Sequence, residues 1–90
     1  MKRTEIQVYG RVQGVFFREE TRQMAVSLGL VGWVKNEPDG SVKIVAEGPE
    51  EKLRELEEWC RKGPRSAKIR DIQVEWKEAK GKFEEFEIQE

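Results

Sequence analysis

An α+β fold, with two helices on one face of a mostly antiparallel sheet, is what this sequence predicts, and three observations predict it. Apolar residues switch repeatedly between two-residue alternation and helical spacing, and each switch falls at a glycine or proline. The resulting order is strand, helix, strand, strand, helix, strand, with a short extra strand at the end. Length is the third: 90 residues, 37% of them apolar, suffice for one domain, residues 1–90, around an economical two-layer core.

In the first strand Ile6 and Val8 alternate with Glu5 and Gln7, and pairing ends near Gly10. From Phe17 the spacing is helical: Phe17, Thr21, Met24, Ala25 and Leu28 share a face, Glu19, Glu20, Arg22 and Gln23 lie mostly outside it, and Gly29 stops the helix. Leu30 to Lys35 reads as a second strand and Ser41 to Gly48 as a third, joined by Asn36-Glu37-Pro38-Asp39-Gly40 with its hairpin chemistry. A second helix starts at Pro49 with Glu50 and Glu51 in its first turn. It buries Leu53, Leu56, Trp59 and Cys60, and Gly63-Pro64 ends it. A fourth strand turns Ile72, Val74 and Trp76 inward, Lys80-Gly81-Lys82 is a turn, and Phe86 and Ile88 alternate in a short terminal strand. Trp33 and Trp59 are expected in the core, and Cys60 as an inert buried thiol. Joined by right-handed crossovers, these elements make the split β-α-β or ferredoxin-like plan. Many functions share that plan, so a site has to decide among them.

Composition removes several chemistries. Histidine is absent, which excludes imidazole general bases, histidine-containing triads and zinc-histidine sites. Cys60 is the only cysteine, so neither an intrachain disulfide nor a cysteine metal cage can form, and a reducing compartment follows. Met1-Lys2-Arg3-Thr4 leads into alternating residues rather than an apolar export segment, and no apolar run approaches the ~18 residues of a membrane span. The expectation is a cytoplasmic monomer without membrane contact. With 17 basic and 18 acidic residues the net charge is −1, unlike a dedicated nucleic-acid binder. The charge is uneven, however. Residues 1–35 carry six positive and three negative side chains, so an anionic ligand is expected to meet the first third. The charged fraction, 39%, exceeds the roughly 25% of average domains and hints at a hot-adapted, thermostable protein.

One loop carries chemistry. Gly10-Arg11-Val12-Gln13-Gly14-Val15-Phe16-Phe17-Arg18 joins the first strand to the first helix. Its glycines can take positive φ, letting successive N–H groups form an anion-binding concavity to which the helix N-terminus adds further donors. Arg18, in the first helical turn, can offer a planar fork to two phosphate oxygens. By spacing alone a plain tight turn is the commoner reading, Arg18 is more often a solvated helix residue, and Asn36 is welcome before any turn. Neither a nucleotide P-loop nor a dinucleotide-binding turn is present.

The loop, together with Leu28-Gly29-Leu30-Val31-Gly32-Trp33-Val34-Lys35-Asn36 and Asp39-Gly40-Ser41-Val42, resembles the acylphosphatase family over nearly the whole chain. That resemblance implies hydrolysis of acyl phosphates to a carboxylate and inorganic phosphate, with no cofactor or metal. It implies that Arg18 binds the substrate phosphate with the amides of Gln13, Gly14, Val15, Phe16, Phe17 and Arg18, and that Asn36 positions the attacking water. Two rival classes are a phosphate-ligand-binding domain without turnover and an RNA-binding sheet. The latter needs strand aromatics in a basic stripe, whereas Trp33 and Trp76 sit among apolar neighbours.

Overall fold

The computed structural model describes residues Met1–Glu90. Strands β1 (Lys2–Arg11), β2 (Val31–Asn36), β3 (Val42–Gly48), β4 (Lys68–Glu78) and β5 (Phe86–Gln89) form one sheet in the order β4-β1-β3-β2-β5. Helix α1 (Phe17–Ser27) follows β1 and α2 (Glu50–Lys62) follows β3. Neighbouring strands are antiparallel except β5, which runs parallel to β2. This is the ferredoxin-like α+β sandwich, extended by one short edge strand.

Strand alternation decides which side chains meet the helices. Ile6 and Val8 of β1 face Ile44 and Val42 of β3, and all four are fully buried together with Val34, Phe17, Ala25, Leu53 and Leu56. The two helices meet where the Phe17 ring lies 5.6 Å from that of Trp59. Trp59 packs against the core while remaining half-buried, and Cys60 beside it is completely enclosed. Burial, and then the nearby Glu57 charge, push the Cys60 thiol far up from its ordinary range. Neither helix is long and apolar enough to cross a membrane.

Two tryptophans depart from expectation. Trp33 is not in the core: its neighbours Gly32 and Val34 are buried on the helix side, so the pleat turns Trp33 to the opposite face, half-buried opposite Val45. Trp76 has the inward parity of Ile72 and Val74 but lies at the far end of β4, 36% exposed, with the Arg54 guanidinium 5.0 Å from its ring. The continuous apolar run Leu30-Val31-Gly32-Trp33-Val34 concealed which of its members faced which side.

The face away from the helices is partly covered by residues 79–85. Their anchor is Glu47, 3% exposed, whose carboxylate accepts hydrogen bonds from the Arg3 Nε at 2.8 Å and from the amides of Lys80 at 3.0 Å and Gly81 at 3.1 Å. Burial pushes the Glu47 carboxyl up, but the Lys80 amide, the Arg3 guanidinium and the Gly81 amide outweigh it and hold it below the usual carboxylate range. The Phe83 ring stacks 5.2 Å from the Arg3 guanidinium carbon. The segment then delivers Glu85 to the amide of Gly32, and β5 continues along the free edge of β2.

Candidate active site

Pairing between β1 and β4 shifts register between Tyr9 and Gly10, and there the two backbones approach closely. A Cβ on Gly10 would lie 2.1 Å from the carbonyl oxygen of Lys68, so only glycine fits. The role of Gly10 is thus to let β1 bend at its exit rather than to bind anything. Beyond it the chain crosses toward α1 with Gly14 at φ 72° and Phe16 at φ 63°, while the residue between them stays out of the positive region. Alternating hand of this kind turns successive amide N–H groups toward a common centre.

Those amides are unused. From Gln13 to Glu19 no residue donates a backbone-to-backbone hydrogen bond, and the first amide to do so is that of Glu20, to the Phe16 carbonyl at 3.1 Å. Helix α1 has no side-chain cap. Seven consecutive donors thus lack a partner beside the positive end of the helix dipole. Beside them opens a cleft of about 340 Å³, lined by Gly14, Phe16, Phe17 and Arg18 of the loop and helix and by Val12, Glu19, Ile88 and Glu90. Arg18 forms no ion pair within the chain. The adjacent Glu19 is engaged on its own helix, where hydrogen bonds from Arg22 and then Gln23 hold its carboxyl below the usual range. The guanidinium of Arg18 therefore has no partner within the chain.

Two side chains brace the loop. Gln13 Nε2 donates to the carbonyls of Glu37 and Ser41, each at 2.8 Å, and Ser66 Oγ donates to the Val15 carbonyl at 2.8 Å. The first brace ties the loop to the connection between β2 and β3. That connection is closed by the Glu37 amide on the Ser41 carbonyl at 2.8 Å and by Asp39 Oδ1, which accepts from the Ser41 amide and hydroxyl. The Ser41 hydroxyl and amide together hold the Asp39 carboxyl below its ordinary range. Sequence reasoning assigned Gln13 only an amide, and missed its side-chain brace and that of Ser66. Ser66 lies 51 positions from its partner, with no local pattern to reveal the pair.

Asn36 is the last residue of β2 and shares the parity of the core residue Val34. Its Oδ1 is buried and has no hydrogen-bond partner. The parallel register, Val34 opposite Ile88 and Lys35 opposite Gln89, carries the end of β5 alongside Asn36 and on into the cleft at Glu90. Asn36 does not line the cleft itself; it stands at the strand end beside it, bonded through its neighbour Glu37 to the Gln13 brace. The structure thus brings Gly14, Phe16, Phe17 and Arg18 together directly, with Gln13, Val15 and Asn36 behind and beside them.

A second concavity, on the other face of the sheet, is flanked by Trp33 and Phe83 but also by Glu84, Glu85 and Glu87. An aromatic surface with that charge repels a phosphate backbone, so turning Trp33 outward does not make an RNA platform.

The acylphosphatase family profile matches residues 4–88. A protein of Pelotomaculum thermopropionicum named acylphosphatase is 45% identical over 86 residues, covering 96% of this chain and 94% of its own. A namesake from Pyrobaculum aerophilum is 44% identical over 89 residues, covering 98% and 94%. The crystal structure of acylphosphatase from Bacillus subtilis superposes with a TM-score of 0.96 at 40% identity, over the full length of both chains.

Proposed function

As a member of the acylphosphatase family the chain is an acyl phosphate hydrolase, and we propose that it works by binding the phosphoryl group in the Gln13–Arg18 loop while Asn36 directs water at phosphorus. The observation that carries this reading is the run of amides from Gln13 to Glu19 with no backbone acceptor, of which Gly14, Phe16, Phe17 and Glu19 line the cleft together with the unpaired Arg18. A tetrahedral dianion meets this set of donors without displacing any internal bond. The guanidinium fork and the amides together neutralise charge on the three non-bridging oxygens.

The chemistry asks little more of the protein. An acyl phosphate is a mixed anhydride whose carboxylate leaves readily, so neither a strong acid nor a covalent nucleophile is required. Asn36, at the strand end beside the cleft, hydrogen-bonds the attacking water through its side-chain amide and holds it in line with the leaving oxygen. The water oxygen bonds to phosphorus as the phosphorus–oxygen bond to the acyl group breaks. The electron pair leaves on the carboxylate, and a phosphoryl oxygen of the substrate takes the water proton. No phosphoenzyme forms. The loose transition state is stabilised by donors already fixed before the substrate arrives, since Gln13 and Ser66 brace the loop.

The test is release of inorganic phosphate from benzoyl phosphate by the wild type, Arg18→Ala and Asn36→Ala, with incorporation of label from H₂¹⁸O followed into phosphate and benzoate. Label in phosphate supports attack at phosphorus. Label in benzoate, or wild-type rates in either variant, would sink the proposal.

A further inference from the structure

The cleft does not end at the phosphate-binding loop. It continues over the apolar side chains of Phe16 and Ile88, with the buried Val12 and Phe17 beneath, and Glu19 and Glu90 also line it. Phe16 is the unusual member. It is the only non-glycine residue of the chain at positive φ, a region bulky side chains avoid, and its ring is 79% exposed. The twist there serves the convergence of amides, but glycine would provide that twist with no steric conflict. An aromatic ring held in solvent by a disfavoured backbone therefore calls for its own reason, and backbone outliers of this kind gather at ligand sites.

The covalent structure of the substrate supplies one. In an acyl phosphate the acyl carbon is two bonds from phosphorus, so a phosphate gripped by Arg18 and the loop amides leaves the acyl group against whatever adjoins them. Here that is the Phe16 ring and Ile88. Charge narrows the class further. Glu19 is neutralised in part by Arg22 at 2.6 Å, whereas Glu90, which also lines the cleft, has no ion-pair partner to balance its charge. Resting on the phosphate-site reading above, we infer that this shelf is the acyl subsite and selects uncharged apolar acyl groups, aromatic ones foremost, over those carrying a second anionic group. Phe16 offers its face to the acyl moiety, and Glu90 repels a distal carboxylate or phosphate.

The experiment compares kcat/KM for acetyl phosphate, benzoyl phosphate and 4-carboxybenzoyl phosphate, each corrected for spontaneous hydrolysis. Wild type is expected to prefer benzoyl over 4-carboxybenzoyl phosphate by about tenfold, the effect of one like charge at close range near a protein surface. Glu90→Gln narrows that gap. Phe16→Gly lowers the benzoyl-to-acetyl ratio about fivefold through lost apolar contact, and Phe16→Tyr restores it. Because glycine suits the backbone at this position, the thermal midpoint of Phe16→Gly is not lowered, which separates a substrate contact from a structural one. An unchanged benzoyl-to-acetyl ratio in Phe16→Gly, or equal use of the charged and uncharged benzoyl substrates by wild type, overturns the acyl subsite and leaves the phosphate site standing. Wild-type activity in Arg18→Ala toward all three substrates overturns the phosphate site, and the subsite with it.

Discussion

In the proposed mechanism Arg18 holds the phosphate and Asn36 directs the water, and their variants should separate those parts. Arg18→Ala leaves the loop with backbone donors only, so both phosphate binding and the chemical step suffer; kcat/KM should fall by the equivalent of roughly 3 kcal/mol or more. Arg18→Lys restores charge without the fork and should recover only part of that loss in steady-state assays. Asn36→Ala removes the side-chain amide at the strand end while every proposed phosphate ligand remains, so kcat should collapse with KM little changed. A KM rise matching the kcat loss would reassign Asn36 to binding. At this scale the sequence was legible through resemblance rather than physics. Spacing alone favoured a plain turn, and nothing in an aromatic residue announces a left-handed backbone of the kind found at Phe16.

Among the elements, the loop between β1 and α1 is the one whose rigidity comes from elsewhere. Gln13→Ala deletes two hydrogen bonds of 2.8 Å in a partly buried setting and leaves the Ser41 and Glu37 carbonyls with only the amides of Glu37 and Gly40 as donors. Denaturant titration should show a loss of about 2 kcal/mol. Catalysis should fall further than that stability loss explains, because the loop and the strand end bearing Asn36 would no longer be registered to each other. The strands and helices were legible from periodicity and from glycine and proline punctuation, since each buries a stripe that its own spacing defines. What periodicity could not give was sidedness in a continuous apolar run, as Trp33 shows, or bonds between segments far apart in sequence, such as Ser66 with Val15.

For the molecule as a whole, Glu47 is the charged group most deeply set, and it joins β1, β3 and the segment leading to β5. Its carboxyl is held below the ordinary value of 4.5 in the folded state. The stability it contributes is therefore complete above that value and is lost as pH falls through the lower folded value. Glu47→Gln, read by thermal unfolding across pH, should cost about 2 kcal/mol near neutrality, because it leaves the buried Arg3 paired only with Glu5 at 3.4 Å. It should also flatten the acid-side decline below pH 4.5. An unaltered acid limb would mean that other carboxylates dominate acid unfolding.

The seclusion of Cys60 has a practical corollary. It is the sole thiol, with no exposed surface and a strong bias toward the unreactive protonated form. Alkylation must wait until the sandwich parts, so the rate at which a maleimide or disulfide reagent tags the native protein is a stopwatch for spontaneous opening. Substrate-free and phosphate-loaded enzyme, timed this way, would reveal how far occupancy of the loop damps breathing where the two helices meet.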